Sequence, residues 1–152
     1  DLNVLQNLKY FAALHGLPKK LATEHIEYEL HSLGLYERRF EKVKKLNGGH
    51  KRRVEIARAL LAKPKVILLD EATVGLDVHT RLSLVDYVHR LCTEEGVAVL
   101  WATHLIDEVY NSDRVLILHE GVLHANGDMK TVMGSANSLN DAFLSITQSA
   151  RG

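Results

Sequence analysis

The sequence of 152 residues predicts an α/β fold in which helices flank a parallel sheet. An alternation of two sequence patterns leads to this prediction. Short apolar runs, at residues 66–69 and 97–102, alternate with longer stretches in which apolar residues recur at helical spacing. Because parallel strands need a long crossover that is usually a helix, this alternation favours a parallel sheet covered on both faces. The first 45 residues are instead mostly helical in pattern.

Apolar spacing and helix-ending residues predict the individual elements. Apolar residues between 2 and 14 recur with a period close to 3.6 before Gly16 and Pro18, and a second helix over 26–33 ends at Gly34. Further helices are predicted at 50–62, 78–95, 105–111 and 138–146. Strands are predicted at 66–69, 97–102 and 115–118, with turn signals at Glu120-Gly121 and Asn126-Gly127.

Composition sets limits on function. Nineteen basic residues balance nineteen acidic ones, so no overall charge favours nucleic acid or an anionic membrane as a partner. The single cysteine, Cys92, agrees with a reducing compartment and equally with many secreted domains. No apolar stretch approaches the roughly 20 residues of a membrane-spanning helix. The chain begins at Asp1 inside an amphipathic pattern, from which we expect a fragment of a longer protein.

Two adjacent carboxylates, Asp70 and Glu71, directly follow the apolar run 66–69. We expect them at the carboxyl end of a buried strand, where open α/β sheets bind their ligands. A hydrated Mg²⁺ would compensate for two carboxylates at that position, leaving the second one to polarise a water molecule. The alternative is an acid pair that caps the next turn and is solvated.

A Gly-Gly turn precedes the predicted helix 50–62. Asn47, Gly48 and Gly49 stand where the backbone N–H groups of a helix start can bind an anion. The simpler interpretation is a helix start in which Asn47 is the N-cap. The cations at 51–53 oppose the helix macrodipole, which favours an anionic ligand, although a solvated basic face explains them as well.

His104 is the histidine whose position is most informative, because it follows the strand 97–102. Neighbouring parallel strands end at the same edge of a sheet, so His104 is expected near Asp70 and Glu71. There its imidazole could donate to a phosphate oxygen. Eight other histidines show how little a single one proves.

Four segments resemble, in order, the motifs of ATP-binding cassette (ABC) ATPases. They are the signature at 46–50, Walker B at 66–71, the D-loop at 75–77 and the switch histidine at 103–104. The resemblance implies a partial P-loop NTPase core, a parallel sheet with flanking helices, preceded by an ABC-type helical subdomain. The subdomain would cover 1–47 and the carboxyl-terminal part of the core 48–152. The opening helix is similar to that of exporter-type members.

The resemblance also implies roles for matched residues. Asp70 would hold Mg²⁺ through water, Glu71 would be the general base and His104 would contact the γ-phosphate of ATP. In a head-to-tail dimer, contacts in trans to the other subunit's nucleotide would come from Asn47, Gly48, Gly49 and His50. The D-loop residues along the shared interface would be Gly75, Leu76 and Asp77. On spacing alone, Asp77 is simply an N-cap of the following helix.

This chain departs from the family pattern. Asn47 and His50 stand where the family usually has Ser and Gln, and Asn can still donate to phosphate. Ala72 and Val74 replace the usual Pro and small polar residue. No phosphate loop of the form Gly-x-x-x-x-Gly-Lys-Ser/Thr occurs in the sequence. We therefore expect a carboxyl-terminal fragment that cannot hydrolyse ATP alone, and that is marginally stable or self-associating because a sheet edge is exposed.

For the intact protein, the resemblance implies ATP and Mg²⁺ as cofactors. It implies a second ATPase subunit and transmembrane permease subunits as partners, and no nucleic acid. The protein would lie in the cytoplasm on the inner face of the cell membrane, where closure of the dimer around ATP drives export. Two alternatives stay open: a non-catalytic binding or regulatory module, and an ABC ATPase with a task other than transport.

Overall fold

The computed structural model describes residues 1–149, and the chain divides into two compact units, Asp1–Ala102 and the segment from Thr103 onward. In the first unit, the helices and strands are α1 (Val4–Leu14), α2 (Lys19–Ser32), α3 (Gly48–Leu60), β1 (Val66–Asp70), α4 (Val78–Glu94) and β2 (Ala98–Ala102). Two 3-10 turns, Tyr36–Arg38 and Val43–Lys45, separate α2 from α3. No helix among residues 1–149 is long and apolar enough to cross a membrane.

Three helices of this unit, α1, α3 and α4, begin at a residue whose side chain accepts from a free N–H group of the first turn. In α1, the Asn3 side chain accepts from Gln6 N–H at 2.7 Å while the Gln6 side chain accepts from Asn3 N–H at 3.0 Å. The predicted α1, α3 and α4 are confirmed to within two residues at each end. Helix α2 starts at Lys19, seven residues before the predicted start, because Pro18 supplies a helix start that an apolar period does not detect.

The core of the first unit joins the helices to one face of a small sheet. Apolar side chains of α1, α2 and α3 pack with those of α4 and β1 in one continuous cluster. The most deeply buried large side chains include Leu8, Leu30, Leu35, Leu61 and Leu84. The predicted boundary between a helical subdomain at 1–47 and a core at 48–152 stays a prediction.

Strands β1 and β2 pair in parallel, as predicted, with Val66 opposite Ala98 and Asp70 opposite Ala102. The expectation that both sheet faces are covered is wrong for this unit. Ile67 is buried on the core side, whereas Leu68 is 73% exposed and its register partner Leu100 is 58% exposed. Within residues 1–149 neither strand pairs with a third one, so both edges of the sheet are unpaired.

The second unit holds a hairpin and short helices. Its elements are a 3-10 turn (Ile106–Glu108), β3 (Arg114–His119), β4 (Val122–Asp128), α5 (Met129–Met133) and α6 (Leu139–Ser149). The predicted strand 115–118 therefore exists but pairs antiparallel with β4 and does not join the parallel sheet. The predicted helix 105–111 shrinks to the 3-10 turn, and the predicted helix 138–146 corresponds to α6.

The turn predicted at Glu120-Gly121 is confirmed, with positive φ at both residues. The turn predicted at Asn126-Gly127 is wrong, because both residues lie inside β4. A Cβ on Gly127 would lie 3.1 Å from the Thr131 methyl group, so this glycine permits close approach of α5. The Asn126 side chain accepts from Arg114 across the hairpin at 2.8 Å.

A buried acid joins α2 to α4. Glu29 is 5% exposed, and the hydroxyl of Tyr87 donates to its Oε2 at 3.0 Å. Burial raises the pKa of Glu29 to about 7, the nearby Glu95 carboxylate adds to the rise, and the Tyr87 hydrogen bond and Lys63 oppose it. The Tyr28 hydroxyl donates to Glu95 at 2.8 Å beside this pair. The protonated acid is thus the form that the fold favours.

This arrangement predicts that stability falls as pH rises. Between the ordinary value of 4.5 and about 7, the unfolded chain releases the Glu29 proton while the folded chain keeps it. E29Q removes the ionisable group and keeps an acceptor for Tyr87. We expect E29Q to unfold in urea with about 1–3 kcal/mol more stability than the parent at pH 8, and with little difference at pH 5.

The matched control is E27Q, at an exposed position of the same helix. It should keep the pH dependence of the parent. An E29Q protein whose unfolding free energy followed the parent at every pH would contradict the raised pKa.

Candidate functional site

The acid pair lies where the chain leaves β1. Asp70 is the last strand residue and is exposed, and the Glu71 N–H continues the ladder by donating to the Ala102 carbonyl at 2.9 Å. Glu71 then adopts a left-handed φ of 48°, which is uncommon for a residue with a side chain. Both carboxylates therefore sit at the carboxyl end of a parallel strand, as predicted, although that strand is buried on one face only.

Two overlapping turns connect the acid pair to α4. The Val74 N–H donates to the Glu71 carbonyl and the Leu76 N–H donates to the Thr73 carbonyl. Gly75 has a φ of 79°, a conformation that a glycine adopts at little cost. Asp77 then accepts from the Thr80 N–H at 3.0 Å, so its prediction as an N-cap is confirmed. That hydrogen bond lowers the pKa of Asp77 and keeps the carboxylate charged.

Helix α3 begins at the Gly-Gly turn. Asn47 is its N-cap, as the simpler interpretation predicts, and its Oδ1 accepts from the His50 N–H at 2.9 Å. The first intrahelical bond runs from the Lys51 N–H to the Asn47 carbonyl at 3.0 Å. The N–H groups of Gly48 and Gly49 precede that bond, and Gly48 is exposed.

The starts of α3 and α4 lie side by side. A Cβ built on Gly49 would lie 2.6 Å from Cγ2 of Thr80, closer than such atoms approach. A Cβ on Gly48 would reach Cδ2 of Leu76 at an ordinary 3.9 Å. The Gly-Gly turn and the turn 75–77, which are separated by 25 residues of sequence, are thus neighbours in the fold. Spacing in the sequence gives no signal for the Thr80 contact.

Two of the three cations near the start of α3 are engaged within the chain. Arg52 forms an ion pair with Glu55 at 2.8 Å. Arg53 donates from Nη1 to the Leu33 carbonyl at 3.1 Å and from Nη2 to the Ser83 hydroxyl at 3.3 Å. Arg53 therefore ties the end of α2 to α3 and α4, a structural role that its place in a basic run does not reveal. Lys51 is exposed.

His104 belongs to the second compact unit and is exposed. The neighbouring Thr103 side chain accepts from the Leu105 N–H at 3.0 Å and holds the local turn. The strand ends that motivated its prediction are adjacent, since Asp70 pairs with Ala102. A position of the imidazole beside Asp70 and Glu71 stays a prediction. Among residues 1–149, no group of three or more His, Cys, Asp or Glu side chains is placed to hold a metal ion.

The close approach at Gly49 generates a prediction about stability. G49A inserts a methyl group against the Thr80 methyl and should destabilise the protein by about 1–3 kcal/mol, measured by urea unfolding. T80S removes the opposing Cγ2 and should recover most of that loss in the double variant. G48A, which meets only an ordinary contact, should change the free energy of unfolding by much less than G49A. Equal effects of G48A and G49A would contradict the close approach.

Comparisons with known proteins agree with the motifs and the fold. A family model described as ABC transporter matches residues 2–74. The energy-coupling factor transporter ATP-binding protein EcfA1 of Listeria monocytogenes is 33% identical over 132 residues, which cover 87% of this chain and 47% of the relative. YdbJ of Bacillus subtilis, an uncharacterized ABC transporter ATP-binding protein, is 40% identical over 142 residues, covering 93% of this chain and 44% of YdbJ.

A solved structure supports the same assignment. It is cbiO1 from Clostridium perfringens, part of the ABC transporter complex cbiONQ, with a TM-score of 0.77 and 29% identity, covering 88% of this chain and 53% of that chain. The chain spans about half the length of the curated relatives it matches. The order of the motifs, the fold and these relatives together identify the chain as a member of the ABC transporter family of ATP-binding proteins.

Proposed function

We propose that this chain is the carboxyl-terminal part of an ATP-hydrolysing subunit of an ABC transporter. The observation that carries the proposal is the position of Asp70 and Glu71 at the carboxyl end of β1, next to the end of β2. That edge of a parallel sheet is where α/β proteins bind their ligands. Glu71 would take the proton of the attacking water, and His104 would donate to the γ-phosphate of ATP.

The residues at this edge fit a magnesium ion that is held mainly by water and phosphate. Mg²⁺ in such sites is bound by one or two carboxylates together with substrate phosphates, and not by an all-protein cage. Asp70 is exposed and would hold the ion through water. The ion, when bound, would neutralise phosphate charge.

The helix starts would serve the nucleotide of a second ATPase subunit. Asn47, Gly48, Gly49 and His50 would bind its phosphate in trans, and Gly75, Leu76 and Asp77 would lie along the dimer interface. The contact between Gly49 and Thr80 supports a common surface for these two groups, because it holds the beginnings of α3 and α4 together. A head-to-tail dimer would present this surface to the partner's nucleotide.

The chain alone would be unable to hydrolyse ATP, because the sequence has no phosphate loop. That loop would lie in a preceding segment of a longer protein. The span of about half the relatives' length supports this, as does the open face of the β1–β2 sheet. A reading frame that encodes no Gly-x-x-x-x-Gly-Lys-Ser/Thr upstream of Asp1 would contradict it.

The intact subunit would act with transmembrane permease subunits on the inner face of the cell membrane. Relatives named as components of multisubunit ABC transporters, such as cbiO1, support this assembly. We propose export as the direction of transport, from the resemblance of the opening helix to exporter-type members. ATP-dependent loading of inside-out vesicles would indicate export, whereas loading of right-side-out vesicles would indicate import.

The role of Glu71 is tested in the intact subunit. E71Q should slow ATP hydrolysis by roughly 10²-fold while ATP still binds, because the variant loses the general base and keeps the shape of the side chain. E24Q, at an exposed position of α2, is the matched control and should hydrolyse ATP at the parent rate. Turnover of E71Q equal to that of E24Q would exclude Glu71 as the base.

The open sheet face provides a second test of the proposal that this chain belongs to a longer protein. Leu68→Cys, in a Cys92→Ser background, should react rapidly with a thiol reagent in the 152-residue chain, where this side chain is 73% exposed. In the intact subunit the reaction should be at least about tenfold slower, because a covered thiol reacts only through local opening. Leu14→Cys, on the exposed side of α1, should react similarly in both proteins. Equal reactivity of Leu68→Cys in both would contradict a covering segment.

A further inference from the structure

The side chain of Asn47 makes two contacts with a single residue, His50. Its Oδ1 lies 2.9 Å from the His50 backbone nitrogen and 2.7 Å from Nδ1 of the imidazole. These are the two positions at which the chain departs from the Ser and Gln usual in the ABC signature. The departures therefore meet in space, at the beginning of α3.

The chemistry of the two contacts fixes their direction. A backbone N–H can only donate, so the Asn47 atom beside it is the carbonyl oxygen and not the amide nitrogen. The same oxygen accepts from the imidazole, so the proton of a neutral His50 is on Nδ1. With its oxygen engaged twice, Asn47 has its amide Nδ2, which carries two N–H donors, left for a ligand.

The surroundings favour the neutral imidazole. Partial burial lowers the pKa of His50, and the positive charges of Arg38 and Arg53 lower it further. Glu41 acts in the opposite direction, and it is paired with Arg38 at 3.0 Å. Both the neutral Nδ1–H form and the imidazolium can donate to Asn47, so this contact does not depend on the protonation state.

An asparagine at this position needs an anchor that a serine does not. A serine hydroxyl rotates to direct its proton towards a phosphate, whereas an amide presents either a donor or an acceptor according to its orientation. An Asn47 turned by 180° would place its carbonyl oxygen towards the negatively charged ligand. Two donors of His50 oppose that orientation. Its backbone N–H would face an NH₂ group, and so would the imidazole Nδ1–H, which the imidazolium always carries and the neutral ring loses only by moving its proton to Nε2.

We propose that His50 is a positioning residue, whose Nδ1–H holds Asn47 so that the amide Nδ2 is the group offered to an ATP phosphate at the start of α3. The inference rests on the proposed function and goes beyond it, because it assigns His50 to Asn47 and not to the phosphate. It also assigns the donor atom. The two departures from the family pattern, Asn47 for Ser and His50 for Gln, then depend on each other.

The test uses the intact subunit and measures KM for ATP and kcat for the parent, H50A, H50Q, N47S and the double variant N47S/H50A. H50A should raise KM by roughly tenfold, from loss of a hydrogen-bonded orientation. H50Q should recover most of that loss, because its amide can donate to Asn47. In the N47S background, where no amide needs orienting, H50A should raise KM for ATP by about twofold or less.

If H50A raised KM equally in the parent and in N47S, or in neither, the positioning role would be overturned while the proposed function stands. If the ATPase activity of the parent rose as pH fell, and H50Q abolished that rise, then His50 itself would contact the phosphate. That result would also overturn the inference. A purely structural role would lower the unfolding temperature of H50A without changing KM. A parent that neither binds nor hydrolyses ATP would overturn the proposed function itself.

Discussion

The close approach of α3 to α4 at Gly49 is the constraint on which the arrangement of this unit depends. Each helix begins at its own N-cap, Asn47 or Asp77, and local hydrogen bonds define each start. The contact of Gly49 with Thr80 is what places the two starts together. A side chain at Gly49 would clash with Thr80, and a helix movement that relieved the clash would separate the surfaces that we assign to a partner's nucleotide and to the dimer interface.

A second contact between these helices lies further along α3. Arg53 reaches from α3 to the Leu33 carbonyl at the end of α2 and to Ser83 on α4. The chain turns there at Gly34, with a φ of 63°, and a Cβ on Gly34 would lie 3.2 Å from the Arg53 guanidinium. A charged side chain inside a basic run thus acts as a bridge between three helices. The predicted helical subdomain is joined to the rest of its unit through polar contacts of this kind as well as through apolar packing.

Local rules in the sequence predicted the parts of the fold that depend on nearby residues. Caps at Asn47 and Asp77 and the apolar spacing of α1, α3 and α4 are such features, and so are the boundaries of β1 and β2. Features that depend on distant partners were not predictable. Gly127 resembles a turn residue in sequence, but it serves the packing of α5, and no periodicity shows that Leu68 faces outward. In the candidate site, the acid pair was placed correctly, while the contacts of Thr80 and Arg53 join residues 20 to 31 positions apart.

The left-handed backbone at Glu71 has a consequence for how this position changes in evolution. A residue with a side chain pays of the order of 1 kcal/mol or more for that conformation, whereas glycine adopts it freely. Mutation towards glycine would therefore be favoured by stability alone, and it would remove the carboxylate. Stability thus favours glycine at this residue, whereas the general-base role that we propose requires the carboxylate. The role that we propose for Glu71 therefore carries a cost in stability at this one residue.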